Sequence, residues 1–293
     1  MVMARSPCFP LLLCRLFLAA LLLLAVPALA VPALWTASKA GRTVILYGTI
    51  HALPPGTDWF SPKARAAFAR ADTLVVEMLP PTEPGATAEL TEQIAYLPTP
   101  VPIRDRLPDD LKGRYDAMVK ASDLPLANLD RMKSWFAALS LVQLEMLMNG
   151  IDPAAGVDVT LIGRARAAGK QLVGLETPPG QLELFNGLPE AEQRLLLASA
   201  VADAGQSQNA MRALVTAWSA GDIARIRRDF DDASLSPELE RRLLTDRNAA
   251  WARFVAARRK GRLFMAVGAA HMAGPGSLIE MLKARGFRVR RVE

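Results

Sequence analysis

Apolar and polar positions divide the chain into short strand-like segments near its two ends and a long helical middle. Ala33–Ser38 and Thr43–Tyr47 read as two strands, and Lys39-Ala40-Gly41 between them is a hairpin signal. Ser61-Pro62 is a helix start, a hydroxyl cap with proline at the first helical position, and this helix runs to about Ala71. Thr73–Glu77 follows as a short buried strand. Pro80–Pro108 carries seven prolines, which predicts an irregular excursion with one short helix at Ala88–Tyr96. Asp109–Ser122 and Arg131–Met148 have helical apolar spacing. Gly156-Val157-Asp158 opens a further helix to about Ala168, closed by Gly169-Lys170, and Gln171–Glu176 is a strand that ends, like Thr73–Glu77, on a glutamate.

From Pro189 to Arg259 the pattern is nearly continuous helix, broken near Gly205, Gly221 and Ser236-Pro237. Leu263–Val267 is then a strand, Gly276–Arg285 a helix, and Phe287–Val292 a closing strand of alternating apolar and basic residues. This order predicts an α/β fold. Two related halves, about residues 33–80 and 260–293, share a central sheet, with a large helical insertion between them. In parallel strand-helix-strand units the ligand crevice lies at the C-terminal strand ends, so His51 and Glu77 are expected on one edge.

One stretch occurs twice. Gly41–His51, GRTVILYGTIH, and Gly261–His271, GRLFMAVGAAH, share the same offsets from Gly-Arg to Gly-x-x-His, and they hold both histidines of the chain. A glycine at a strand end lets the backbone turn sharply, and the three-residue offset carries the imidazole beyond the turn. Two such units aim two imidazoles into a common space, and imidazole with carboxylate is a usual ligand set for a divalent transition ion. The alternative is two core histidines, each bonded to a backbone carbonyl. Glu77 and Glu176, at two strand ends, are carboxylates for such a site or caps and arginine partners. The methionines 146 and 148 are read as packing of a buried helix.

Composition narrows the choices. With 293 residues, 51% of them hydrophobic, the chain can bury a substantial core. Arg5 and Arg15 precede an apolar run ending in Ala28-Leu29-Ala30, so residues 1–30 are read as a cleaved secretion signal and residues 31–293 as the mature domain, periplasmic or secreted. An uncleaved membrane anchor is the alternative. Cys8 and Cys14 both fall in that segment, so the mature chain has no thiolate chemistry, and nitrogen and oxygen must hold any metal. The formal charge of +6 falls to +4 once Arg5 and Arg15 are removed. No aromatic-basic interleaving accompanies it, so a nucleic-acid partner is not expected.

Leu46-Tyr-Gly-Thr-Ile-His51, Leu74-Val-Val-Glu77, Gly156-Val-Asp158, Gly174-Leu-Glu-Thr177, Arg247-Asn-x-x-Trp251 and Val267-Gly-Ala-Ala-His271 together resemble the TraB/GumN family, in its exported bacterial GumN-like branch. That family is similar to the Tiki metalloproteases and, more distantly, to erythromycin esterases and ChaN haem-binding lipoproteins. The resemblance implies an α/β fold of two related halves and a site built from His51, His271, Glu77 and Arg247. The expected ligands of a divalent ion, Mn, Co or Zn, are His51, His271 and Glu77. Glu77 and Arg247 are the expected catalytic pair, with Glu176 and Asn248 as substrate contacts. The expected function is metal-dependent hydrolysis of a peptide or protein substrate. A non-catalytic peptide- or haem-binding protein and an export accessory protein are the competing expectations.

Overall fold

The computed structural model describes residues 30–54, 56–81, 85–122, 126–151, 156–231 and 236–293. The secretion-signal expectation falls on residues outside these, apart from Ala30. Six strands form one mixed sheet in the order β4-β3-β5-β2-β1-β6. They are β1 Leu34–Lys39, β2 Arg42–Thr49, β3 Thr73–Met78, β4 Gln171–Glu176, β5 Leu263–Gly268 and β6 Arg288–Arg291. β4, β3, β5 and β2 run parallel, while β1 is antiparallel to both β2 and β6. The chain is therefore α/β, as its strand-helix alternation predicts.

Burial explains why the middle of the sheet reads as unbroken apolar runs. β5 is buried along Leu263–Val267 and β3 along Thr73–Glu77, because helices cover both faces of parallel strands. On one side an aromatic chain links Tyr47, Phe264, Phe68, Phe60, Trp59 and Trp218, with successive ring centroids 5.1–6.5 Å apart. The β1–β2 turn places Ala40 at φ 48° and Gly41 at φ 75°, the left-handed pair that a two-residue hairpin requires.

The helices are α1 Pro62–Arg70, α2 Ala86–Ala95, α3 Asp109–Ser122, α4 Leu126–Arg131, α5 Ser134–Met148, α6 Val157–Ala167, α7 Pro178–Asn186, α8 Glu190–Ala202, α9 Ser207–Ser219, α10 Ile223–Asp231, α11 Pro237–Glu240, α12 Asp246–Ala257 and α13 Leu278–Ala284. Arg131–Met148 is not one helix. Leu97 N–H donates to Arg131 O and Lys133 N–H to Ala95 O, and this pairing with the end of α2 separates α4 from α5. A second core, with Ile103, Tyr115, Leu141 and Leu197 among its members, joins α3, α5 and α8.

α5 is less enclosed than its composition predicts. Its first turns and one face are buried, but Leu147 and Met148 are more than half exposed, so Met148 is not core packing. Among the described residues no helix is long and apolar enough to cross a membrane.

Candidate functional site

The C-terminal edge of the parallel strands collects the charged residues. β3 delivers Glu77, β4 Glu176, and the segments after β2 and β5 deliver His51 and His271. α12 adds Arg247, Asn248 and Trp251. A π turn at Arg241–Thr245 joins α11 to α12 directly before Arg247, a device found at functional sites more often than elsewhere.

Arg247 is the hub. Its Nη2 donates to Glu77 Oε2 at 2.5 Å and to Glu176 Oε2 at 3.0 Å, its Nε to Glu176 Oε1 at 2.7 Å, and its Nη1 to Leu243 O at 3.0 Å. Nη1 also lies 3.3 Å from His271 Nε2. The guanidinium stacks on Trp251, 4.8 Å from the ring centroid, and Trp251 Nε1 donates to Glu176 Oε1 at 3.0 Å. Both side chains of the Glu77–Arg247 pair are close to nine-tenths buried. Glu77 Oε1 accepts the Gly268 N–H at 2.6 Å, and a side chain at Gly268 would crowd that oxygen.

The protonation of His271 follows from its neighbours. Asn248 Nδ2 donates to Gly276 O at 2.9 Å, which orients the amide so that its Oδ1 faces His271 Nδ1 at 2.8 Å. Nδ1 therefore carries the hydrogen and Nε2 the lone pair, 3.8 Å from Glu77 Oε1. Burial against Trp251, whose ring centroid is 4.4 Å away, drives the imidazole pKa down to about 4. Burial works against the Glu77 carboxylate too, but the charges of His271 and Arg247 outweigh it and hold the group well below the usual carboxylate range. At neutral pH His271 is uncharged, so Arg247, the protonated His51 and the Gly268 N–H supply that hold.

His51 differs. Its Nδ1 donates to Asp158 Oδ2 at 3.0 Å, and Asp158 Oδ1 accepts the Thr49 hydroxyl at 2.9 Å. The hydrogen bond to Asp158 raises the imidazole pKa to about 9. The His51 side chain is 70% exposed and that of His271 only 5%. The two Gly-x-x-His segments are neighbours in the sheet, yet they are staggered by one residue: Gly48 pairs with Val267 and Thr49 with Gly268. Directly opposed residues of parallel strands point to the same face, so this stagger turns counterpart side chains to opposite faces. His271 then folds back in a short 3₁₀ turn, Ala269–Met272, whereas His51 leaves the sheet without one. The expectation of two imidazoles in matched frames is thus corrected to one buried and one exposed. The charge of His51 still acts on His271 and on Glu77.

Two expected substrate contacts have internal partners instead. Asn248 is buried and committed at both ends of its amide. Glu176 accepts from Arg247, Trp251 and Gln181, which makes it an anchor for the guanidinium. Asp158 and Trp251 lie within motifs quoted above but were given no role there. The signal for Asp158 is its place two residues after Gly156. A Cβ at Gly156 would run into the His51 carbonyl oxygen, so only glycine lets α6 come close enough to set Asp158 on His51. Gly156→Ala is expected to cost about 2–3 kcal/mol through this clash, read as a lower urea midpoint, and to release the His51–Asp158 bond, read by NMR as a fall of the His51 pKa toward 6.5.

The shifts set a stability profile. Glu77, held below its ordinary 4.5, contributes stability that is present above 4.5 and lost as pH falls through its folded value. His271, neutral in the fold to about 4 but protonated below 6.5 when unfolded, also costs stability as pH falls from 6.5 to 4. His51, raised to about 9, contributes stability that is present below 6.5 and lost as pH rises through 9. Urea midpoints measured from pH 4 to 9.5 are expected to peak near 6.5 and to fall on both sides.

Among the described residues no three His, Cys, Asp or Glu side chains converge as a metal-ligand group. Comparison with curated proteins and with solved structures gives no match. A sequence model of the TraB/PrgY/gumN family matches residues 33–291, nearly all of the described fold and every residue of this cluster. On that match the chain belongs to the TraB/PrgY/gumN family.

Proposed function

We propose that the protein is an exported, metal-dependent hydrolase of peptide or related acyl bonds. One observation carries the reading: both imidazoles have Nδ1–H tied to an oxygen, Asp158 for His51 and Asn248 for His271, which reserves Nε2 as the donor atom at the edge where Glu77 stands. An outer oxygen partner on Nδ1 is the usual arrangement of a metal-bound histidine. The donor set of two imidazole Nε2 atoms and one carboxylate suits Mn, Co or Zn. Arg247 takes the Glu77 Oε2 and His271 Nε2 positions in the present arrangement, so an ion and these two arginine contacts are alternative occupants.

When bound, such an ion lowers the pKa of water and polarises a carbonyl. The chain's own residues prepare the rest. Glu77 stays ionised and holds its place through Gly268 N–H. His271, fixed by Asn248 and Trp251, forms an immobile wall. His51 would hold the ion through Nε2 in its neutral form, with Asp158 keeping the Nδ1 hydrogen in place. Arg247, freed from Glu77, is a cation for a developing oxyanion or a substrate carboxylate. Export is supported by the apolar run ending at Ala28-Leu29-Ala30.

The test is elemental analysis of purified protein after supply of Mn, Co and Zn, alongside a peptide-library digest read by mass spectrometry. Stoichiometric metal and cleavage are expected, with metal lost and cleavage reduced at least about 100-fold in His51→Ala and in His271→Ala. Metal without cleavage would replace hydrolysis with peptide sequestration, and cleavage retained by either variant would end the assignment.

A further inference from the structure

Arg247 makes five polar contacts, and they divide into two groups. Three hold it to its own side of the cleft: Nε and Nη2 on Glu176 and Nη1 on Leu243 O. The Trp251 ring lies beneath it and its indole N–H also donates to Glu176, so this half is a preformed seat for the guanidinium. The other two contacts reach across to Glu77 Oε2 and His271 Nε2. A guanidinium that swung away from Glu77 and His271 would keep its seat.

Charge gives the motion a reason. Two carboxylates and one guanidinium leave the cluster with one formal negative charge. The buried Glu77 needs a cation within hydrogen-bonding distance, because an unpaired buried carboxylate is costly. Arg247 is the only Lys or Arg that donates to it among the described residues. A divalent ion at Glu77 would meet the same need, and two cations at one carboxylate repel each other.

We propose that Arg247 is a displaceable internal cation, which covers Glu77 and His271 in the metal-free protein and withdraws onto Glu176 when a divalent ion binds. The inference rests on the metal-binding reading above. In it Arg247 and the ion compete, and Glu176 is a positioning residue that favours the ion by retaining the arginine. A ligand or purely structural role for either residue predicts different signs.

The experiment is calorimetric titration of metal-free purified protein with Co²⁺ for the wild type, Arg247→Gln, Glu176→Gln and the double variant. Arg247→Gln is expected to bind Co²⁺ about tenfold more tightly, the worth of one charge-assisted hydrogen bond no longer broken on loading. Glu176→Gln is expected to weaken binding about fivefold in the wild-type background and to have no effect when Arg247 is already Gln. If Arg247→Gln does not fold without metal, Arg247→Lys serves instead. It keeps the charge but cannot fork across Glu77 and Glu176, and tighter binding is again expected. Equal or weaker binding by the Arg247 variants, or a Glu176→Gln loss that persists in the double variant, overturns the competition while leaving the metal site standing. Absence of Co²⁺ binding in every protein overturns the metal reading and this inference with it.

Discussion

Glu77→Ala is expected to remove about 3–5 kcal/mol of folding stability, among the largest losses available from any single position of this chain. The size follows from where the carboxylate sits. Its two oxygens engage different donors, Arg247 Nη2 at 2.5 Å and Gly268 N–H at 2.6 Å, and it lies on a strand buried along its length. Alanine leaves a largely buried guanidinium with only Glu176 opposite it and strands the Gly268 donor at the end of β5. Glu77→Gln separates the two contributions. It keeps an acceptor for Gly268 but removes the charge, so a smaller loss of about 1.5–3 kcal/mol is expected. Urea denaturation checks both, with midpoints shifted at unchanged slope. Metal content is the companion readout, since both variants are expected to lose a bound ion under the proposed function. An alanine variant as stable as the wild type would mean that Arg247 and Gly268 find other partners.

Trp251→Ala is the second large effect, again about 3–5 kcal/mol, because a fully buried indole leaves a cavity that helix α12 cannot close. The chemistry of the site changes with it. The indole covers one side of His271, seats Arg247 and donates to Glu176, so its loss admits water to an imidazole whose pKa burial now holds near 4. Proton NMR titration of His271 is expected to show that pKa rising toward 6.5. Trp251→Phe keeps a ring over His271 but drops the indole N–H, and about 1 kcal/mol is the expected cost. A His271 pKa that stays near 4 in the alanine variant would show that other walls exclude the water.

Features determined by neighbouring residues were legible in the sequence. Asp109–Ser122 and Gln171–Glu176 have the predicted bounds, and Ser61-Pro62 does cap and open α1, with the Ser61 hydroxyl accepting from Ala64 N–H. The helix breaks near Gly205 and Gly221 coincide with chain turns between α8, α9 and α10, and Ser236 caps α11 with Pro237 at its first position. α7, Pro178–Asn186, was not predicted, although Thr177 caps it and two prolines open it.

What depends on distant parts of the chain was not legible. No local pattern reports that β5 inserts between β2 and β3, or that it lies one residue out of step with β2. The cluster was legible as a set of residue types at strand ends, since Glu77, Arg247 and His271 do meet. Their division of labour was not. That Glu176 and Asn248 face inward, and that Asp158 belongs to His51, depends on the approach angles of α12 and α6.

The stagger between the two Gly-x-x-His segments has a consequence for traffic. Identical words in the sequence become a floor and a doorway: His271 is sealed beneath Trp251, while His51 stands in solvent on the Asp158 carboxylate. Under the proposed function, a guest arriving from solvent meets the exposed His51 first and the buried His271 last. Substitutions around Asp158 should therefore govern how fast a guest comes and goes, and those around Trp251 how firmly it is kept.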